Sequence, residues 1–272
     1  MSTQALGGVL SEEQKKQFDE EGYLIVKGLL ADDAQIIMDE FMRLHAAGPI
    51  PGCFQPMTAE EADGDILKQY PRMMHPHKVN EIAFRYMLHP KVMNILADLF
   101  GADPLAAQSM FYFKPPGAKG QALHQDQFYL KVEPGTCIAA WTAVDPADEE
   151  NGGLFLVPQT NRIDIECPHT ADPAVSFTKE EVDVPEGREA IPARMDAGDV
   201  LFFNGSVIHG SYPNSSADRF RRAFICHYSD AATTKIGKYY KPLYRHDGTA
   251  VTVEANEDAG PCGTEFQQTG AH

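Results

Sequence analysis

The spacing of apolar residues along this chain changes once, near Leu105, and that change limits the folds open to it. Upstream the spacing is helical. Ser11-Glu12-Glu13-Gln14 has the make-up of a capping box, in which the serine hydroxyl takes one orphan N–H and the glutamine reaches back. It predicts a helix through Phe18 that stops near Gly22, followed by a short strand at Tyr23-Leu24-Ile25-Val26. Residues 31–45 place Ile36, Ile37, Phe41 and Leu44 on one helical face, and 80–100 form a second such stretch, broken at Pro90 and closed by Gly101. Downstream come strand candidates at 106–114, 136–144, 153–157, 190–195, 199–203 and 220–228. Turn sequences such as Pro115-Pro116-Gly117 and Glu150-Asn151-Gly152-Gly153 separate them. Helices followed by many short strands predict a mainly β protein, an antiparallel barrel or jelly roll braced by its N-terminal helices. The expected layout is a single domain over 1–272, with a helical part at about 10–100, a barrel core at about 105–228 and a tail at about 229–272. Between the strands, 159–188 is polar and proline-rich and reads as a lid-like insertion.

Composition narrows the partners. The formal net charge is −16, which repels nucleic-acid phosphates and anionic lipid, so neither nucleic acid nor membrane is an expected partner. No run of 18 apolar residues occurs. Residues 1–12 lack the basic-then-apolar pattern of a secretory leader, so the expectation is a cytoplasmic protein, monomer or homodimer, acting on a small molecule. Five cysteines make an odd count with no C-x-x-C. Cys137 and Cys226 lie in apolar runs and read as buried, and neither a disulfide framework nor a zinc knuckle is expected.

Chemistry concentrates at Gln121-Ala122-Leu123-His124-Gln125-Asp126-Gln127-Phe128-Tyr129. On an extended strand His124 and Asp126 point to the same face, and Gln125 to the other. A neutral imidazole and a carboxylate are two corners of the facial site that holds ferrous iron with coordination positions to spare; a third corner is needed, and His209 is the best candidate. H-x-D alone is a weak signal and equally describes a polar pair on a surface strand. A 2-oxo acid chelated at such a site needs a fixed cation for its far carboxylate. Arg219, Arg221 and Arg222 follow His209; alternation puts Arg221 on the face of Ala223, Ile225 and His227, and Arg222 on that of Phe224, Cys226 and Tyr228, without choosing between them. His75 and His77 flank Pro76, which favours extended backbone and both rings on one face. They have no carboxylate or cysteine partner nearby in sequence, so a polar pocket wall or a plain loop outranks a second metal site.

From about Leu10 to Tyr228 the chain resembles the phytanoyl-CoA dioxygenase family of iron(II)/2-oxoglutarate oxygenases. The matching blocks are Gln108 to Pro116, His124-Gln125-Asp126, Trp141-Thr142-Ala143, Asn151-Gly152-Gly153-Leu154 with Val157-Pro158, and His209-Gly210-Ser211 with Asn214 and Arg221-Arg222-Ala223. The resemblance implies a double-stranded β-helix of the jelly-roll type. It implies Fe(II), 2-oxoglutarate and O2 as cofactor and co-substrates, with His124, Asp126 and His209 as iron ligands. Arg221 and Ser211 would hold the distal carboxylate of 2-oxoglutarate, with Lys114, Trp141 and Met110 beside it. Gln108 corresponds to a substrate contact in similar ectoine hydroxylases, and Tyr112, Gln127, Tyr129, His75 and His77 are further substrate-wall candidates. Related halogenases lack the carboxylate, so Asp126 implies hydroxylation or another oxidation. Two other classes remain: a jelly roll that binds a metal or small molecule without turnover, and a zinc hydrolase, for which no H-E-x-x-H occurs.

Overall fold

The computed structural model describes residues 6–258, 260–263 and 271. Two antiparallel sheets face each other. In the larger, the strands run in the order Tyr23–Val26, Val200–Asn204, Ile138–Ala143, Ala223–Asp230, Pro104–Tyr112, Leu243–Tyr244 and Ala250–Val251, and Met73–Met74 also pairs with Pro104–Tyr112. In the smaller the order is Gln121–His124, His209–Ser211, Leu154–Leu156 and Ile191–Ala193. This is the jelly roll that the change of period predicts.

The larger sheet is apolar on both faces because it is covered on both. Phe111, Phe202, Phe224 and Tyr228 meet Phe18, Ile37, Phe41, Met87 and Leu96 from the N-terminal helices Glu12–Glu21, Ala34–Ala47, Glu81–Met87 and Pro90–Phe100. The alternate residues Met110, Trp141, Leu201 and Ile225 turn inward and meet Leu154 and Leu156 of the smaller sheet. The first helix has the expected capping box at Ser11 and Gln14 and ends at Gly22, whose φ of 83° a side chain would resist.

Two local expectations are corrected. The strand through His124 does not continue to Tyr129: it stops at His124, and Asp126–Leu130 is a short helix entered through an extended Gln125. His75 and Pro76 are not extended either; His75 is left-handed at φ 53° and Pro76–Lys78 forms a 3-10 turn, because proline suits the first position of a helical turn. The cysteine reading also changes, since Cys167 of the insertion is disulfide-bonded to Cys262. Cys53, Cys137 and Cys226 are free and buried. The insertion leans on the smaller sheet, with Val182 N–H donating to Leu123 O (2.9 Å) and Gly120 N–H to Val175 O (2.8 Å). The tail is tied down at Glu254–Asn256, which pairs with Lys235–Gly237; residues 264–270 lie outside the described residues.

Candidate metal centre and co-substrate slot

His124 and His209 lie eighty-five positions apart in sequence but directly opposite each other across two paired strands. Asp126 reaches the same point because Gln125 keeps extended angles (φ −121°, ψ 125°), so its neighbours on either side share a face before the helix begins. One donor atom from each of the three lies within 4.8 Å of the others. His124 Nε2 is 3.7 Å from Asp126 Oδ1, and His209 Nε2 is 3.7 Å from Asp126 Oδ2. All three are buried.

The histidines are held in the tautomer that a metal needs. His124 Nδ1 donates to Ala122 O and His209 Nδ1 to Val207 O, each at 2.9 Å, which leaves both Nε2 atoms as lone-pair donors aimed at the common point. Burial pushes His124 down to about 3, with His209 next to it adding to the effect, and burial lowers His209 as well, so both rings are neutral at pH 7. Burial would raise the Asp126 carboxyl, but His227, His209 and His124 outweigh it and keep it ionised. Two neutral imidazoles and one carboxylate are the donor set for a divalent first-row metal, and the residues present fit iron(II).

A cavity opens on this point, lined by Met110, Tyr112, Trp141, Ser211, Arg221 and the three donors, among others. At one end two buried basic side chains meet, Arg221 in the lining and Lys114 behind Ser211. Lys114 Nζ donates to Ser211 Oγ (2.8 Å), and Arg221 Nε donates to Gly152 O (2.9 Å) with its guanidinium 5.3 Å from the Trp141 ring. Burial and then Arg221 pull the Lys114 ammonium well below its usual range; burial draws Arg221 down to about 10, still charged. Neither has a carboxylate within ion-pair distance among the described residues. Buried charges are ordinarily paired, so this end fits an incoming carboxylate.

The surrounding loops are shaped to hold that end. Asn214 Nδ2 donates to Lys114 O and Arg219 O, Asn151 Nδ2 to Phe220 O, and Arg221 N–H to Lys114 O. A Cβ on Gly152 would come within 2.6 Å of Lys114 Cε, so only glycine leaves room for the lysine stem. Arg222 is excluded from the cavity: it points outward to Asp145, with Nε 2.7 Å from Oδ2.

Not every sequence candidate gathers here. Gln127 points away; its amide donates to Val132 O and accepts from Cys137 N–H, because the helix begun at Asp126 rotates it off the site. Tyr129 packs edge-on against His124 but sends its hydroxyl to Glu180, beneath the insertion. Gln108 is buried one strand away, opposite His227. His75 and His77 sit beyond them with rings 5.6 Å apart, His77 Nδ1 within 2.8 Å of Ser109 Oγ. Gln125 serves as a strut between Ser206 O and Glu166 N–H, on the face opposite the donors as expected.

Two residues are not anticipated. His227 Nε2 donates to Asp126 Oδ2 at 2.9 Å. Alternation places it on the same face as Arg221, and that is the available signal. Arg72 Nη1 donates to the Tyr112 hydroxyl at 3.0 Å. It comes from the irregular proline-rich stretch, where periodicity says nothing.

A jelly roll with a buried two-histidine, one-carboxylate point beside a carboxylate slot is the frame of the iron- and oxo-acid-dependent oxygenases. The family model "Phytanoyl-CoA dioxygenase (PhyH)" matches residues 18–223. The peroxisomal phytanoyl-CoA dioxygenases of Mus musculus and Bos taurus are 31% and 29% identical, over 82% of this chain and 69% of theirs. Among solved structures, the non-heme alpha ketoglutarate dependent carbocyclase SnoK from nogalamycin biosynthesis superposes with a TM-score of 0.67 at 19% identity, covering 94% of this chain and 91% of that one. EctD from S. alaskensis, with 2-oxoglutarate and 5-hydroxyectoine, gives 0.65 at 17% identity, covering 91% and 86%. The chain belongs to the phytanoyl-CoA dioxygenase family, and is an iron(II)/2-oxoglutarate-dependent oxygenase.

Proposed function

We propose that this protein oxidises an unactivated C–H bond of a small organic metabolite, with hydroxylation as the outcome. His124 and His209 through Nε2, and Asp126 through one oxygen, would hold iron(II). Lys114, Ser211 and Arg221 would receive the distal carboxylate of 2-oxoglutarate. Iron(II) with dioxygen supplies the oxidation, for which 2-oxoglutarate gives up two electrons and is released as succinate and carbon dioxide.

The chain's own residues supply geometry. The backbone carbonyls of Ala122 and Val207 fix the two rings. His227 fixes the carboxylate. The Trp141 and Tyr112 rings flank the Arg221 guanidinium, and the apolar lining of Met110, Leu154, Phe203 and Ile225 keeps water from the reacting centre.

The observation that carries this reading is the buried Arg221 guanidinium, which lines the cavity beside the three donors without a carboxylate partner, with Lys114 bonded to Ser211 next to it. A metal-binding barrel without turnover has no use for that pair. A single domain spanning the chain, with the helical part as a brace, is part of the same proposal. A small substrate suits the cavity better than a long acyl-CoA, whose phosphates would meet a protein of net charge −16.

The test is anaerobic addition of iron(II) and 2-oxoglutarate to the purified protein. A weak visible charge-transfer band should form, be missing in His124→Ala, and be followed by succinate when air is admitted. No band and no succinate would leave the non-catalytic barrel as the answer.

A further inference from the structure

Among the described residues one covalent cross-link joins distant parts of the chain, Cys167 in the insertion to Cys262 in the tail, 95 positions on. Neither cysteine belongs to the core. Cys167 is exposed and Cys262 half-buried, whereas the three free cysteines are buried. A disulfide at the surface exchanges with thiols in solution, from which a buried one is shielded. The insertion has little else to hold it closed: within residues 161–188, Ala171 and Val182 are the only buried hydrophobic side chains. Segments with so few buried apolar contacts open at low cost, and a cross-link supplies the closure that packing does not.

What the bond holds lies next to the metal point. On the insertion side Glu166, the residue before Cys167, donates its N–H to Gln125 Oε1 (2.8 Å), and Gln125 Nε2 donates to Asp164 O (3.3 Å). Gln125 is the buried residue between the donors His124 and Asp126. On the tail side Asn256 Nδ2 donates to Lys131 O and to Glu133 Oε1, each at 3.0 Å, just past the short helix that Asp126 begins. Ile165 of the insertion, Pro261 of the tail and Phe128 of that helix line one cavity, so the three segments meet there. Insertion and tail thus grip residues 125–133 separately, and the disulfide ties the two grips together.

We propose that Cys167–Cys262 is a thiol-responsive clasp on the metal site: closed as the disulfide, it holds the insertion against the segment that carries Asp126, and a dithiol opens it. What the clasp regulates rests on the oxygenase reading; the clasp itself does not. In opening, a thiolate of the dithiol attacks the exposed Cys167 Sγ, the S–S bond breaks, and its electron pair leaves on Cys262 Sγ, which takes a proton. The second thiol of the reductant then displaces Cys167. The dithiol ends as a cyclic disulfide and the protein as two thiols, with two electrons and two protons transferred. Once Glu166 is released, Gln125 keeps its bond to Ser206 O (2.8 Å) but loses its anchor in the insertion, and the donors on either side of it are held less firmly.

The experiment compares the full chain treated with oxidised glutathione, the same protein reduced with dithiothreitol and desalted without air, and the double variant Cys167→Ser/Cys262→Ser. Thiol titration under denaturing conditions should count three thiols in the oxidised protein and all five in the reduced one. Amide hydrogen exchange over 121–131 and 162–170 should be about ten-fold faster in the reduced protein and in the double variant. Re-oxidation should restore the slow rate in the wild type and not in the variant. Iron(II) bound with 2-oxoglutarate should pass to a chelator about three-fold faster from the open forms. Five thiols persisting after oxidised glutathione would overturn the proposal. So would equal exchange in the oxidised and reduced proteins, or faster exchange with unchanged iron transfer. Exchange that responds as expected in a protein that binds iron(II) in neither form would instead sink the oxygenase reading and leave the clasp standing.

Discussion

Replacing His227 tests how the carboxylate corner is held. The ring is buried and its Nε2 is 2.9 Å from Asp126 Oδ2, the oxygen that also faces His209 at 3.7 Å. Removing that donor frees the carboxylate to rotate and leaves one of its lone pairs unsatisfied in a site closed to water. Partners of metal ligands typically contribute 10–100-fold in metal affinity, which corresponds to about 1.4–2.7 kcal/mol. His227→Leu should therefore weaken iron(II) binding by that factor, while His227→Gln, whose amide still donates, should recover most of it. The assay is anaerobic iron(II) titration at saturating 2-oxoglutarate, read at the charge-transfer band, with urea unfolding of each variant as a check on the fold. An affinity for His227→Leu within two-fold of wild type, in a folded variant, would refute the reasoning. So would a Gln variant no better than the Leu variant, since the hydrogen bond would then not be what matters.

Three further outcomes follow from the same structure. Gly152→Ala puts a methyl within 2.6 Å of Lys114 Cε at a φ of 87°; it should raise the KM for 2-oxoglutarate several-fold and lower stability by about 1–3 kcal/mol, measured by steady-state kinetics and urea unfolding. Lys114→Met removes the group that donates to Ser211 Oγ in the slot and should raise that KM ten-fold or more, with iron affinity unchanged; equal losses in both would refute separate roles for slot and metal point. Burial, then Lys78, holds His75 at about 4, and burial, then His75, holds His77 at about 3. The unfolded chain takes up these protons near pH 6.5 and the folded chain resists, so stability is fully present above pH 6.5 and is lost as pH falls toward 3. From His77 alone the loss at pH 5 is about 2 kcal/mol, and the drop in urea midpoint between pH 7.5 and 5 should shrink in His77→Gln.

Much of this site could be read from residue order, and the parts that could not have a common cause. Period-two alternation places Arg221, Ile225 and His227 on one face, and the structure keeps them together at the cavity. It does not say whether that face or the other looks inward, because helices cover the outer face and make it equally apolar, as Phe224, Cys226 and Tyr228 show. The choice lies in a contact that pattern cannot see, the Arg222 ion pair with Asp145. Gln127 and Tyr129 were misplaced for a sharper reason. Extending the strand beyond Gln125 keeps alternate residues on the metal face, whereas one residue of helix turns the chain by about 100° and removes them. Asp126 escapes this because it is the last residue whose direction is set by extended backbone.

The same reasoning explains why Arg72 was silent. Its position follows from Met73–Met74 pairing with Met110 and Phe111 at the end of a proline-rich stretch, a long-range register that no local period encodes. Once paired, it brings a guanidinium to the Tyr112 hydroxyl, 3.0 Å away.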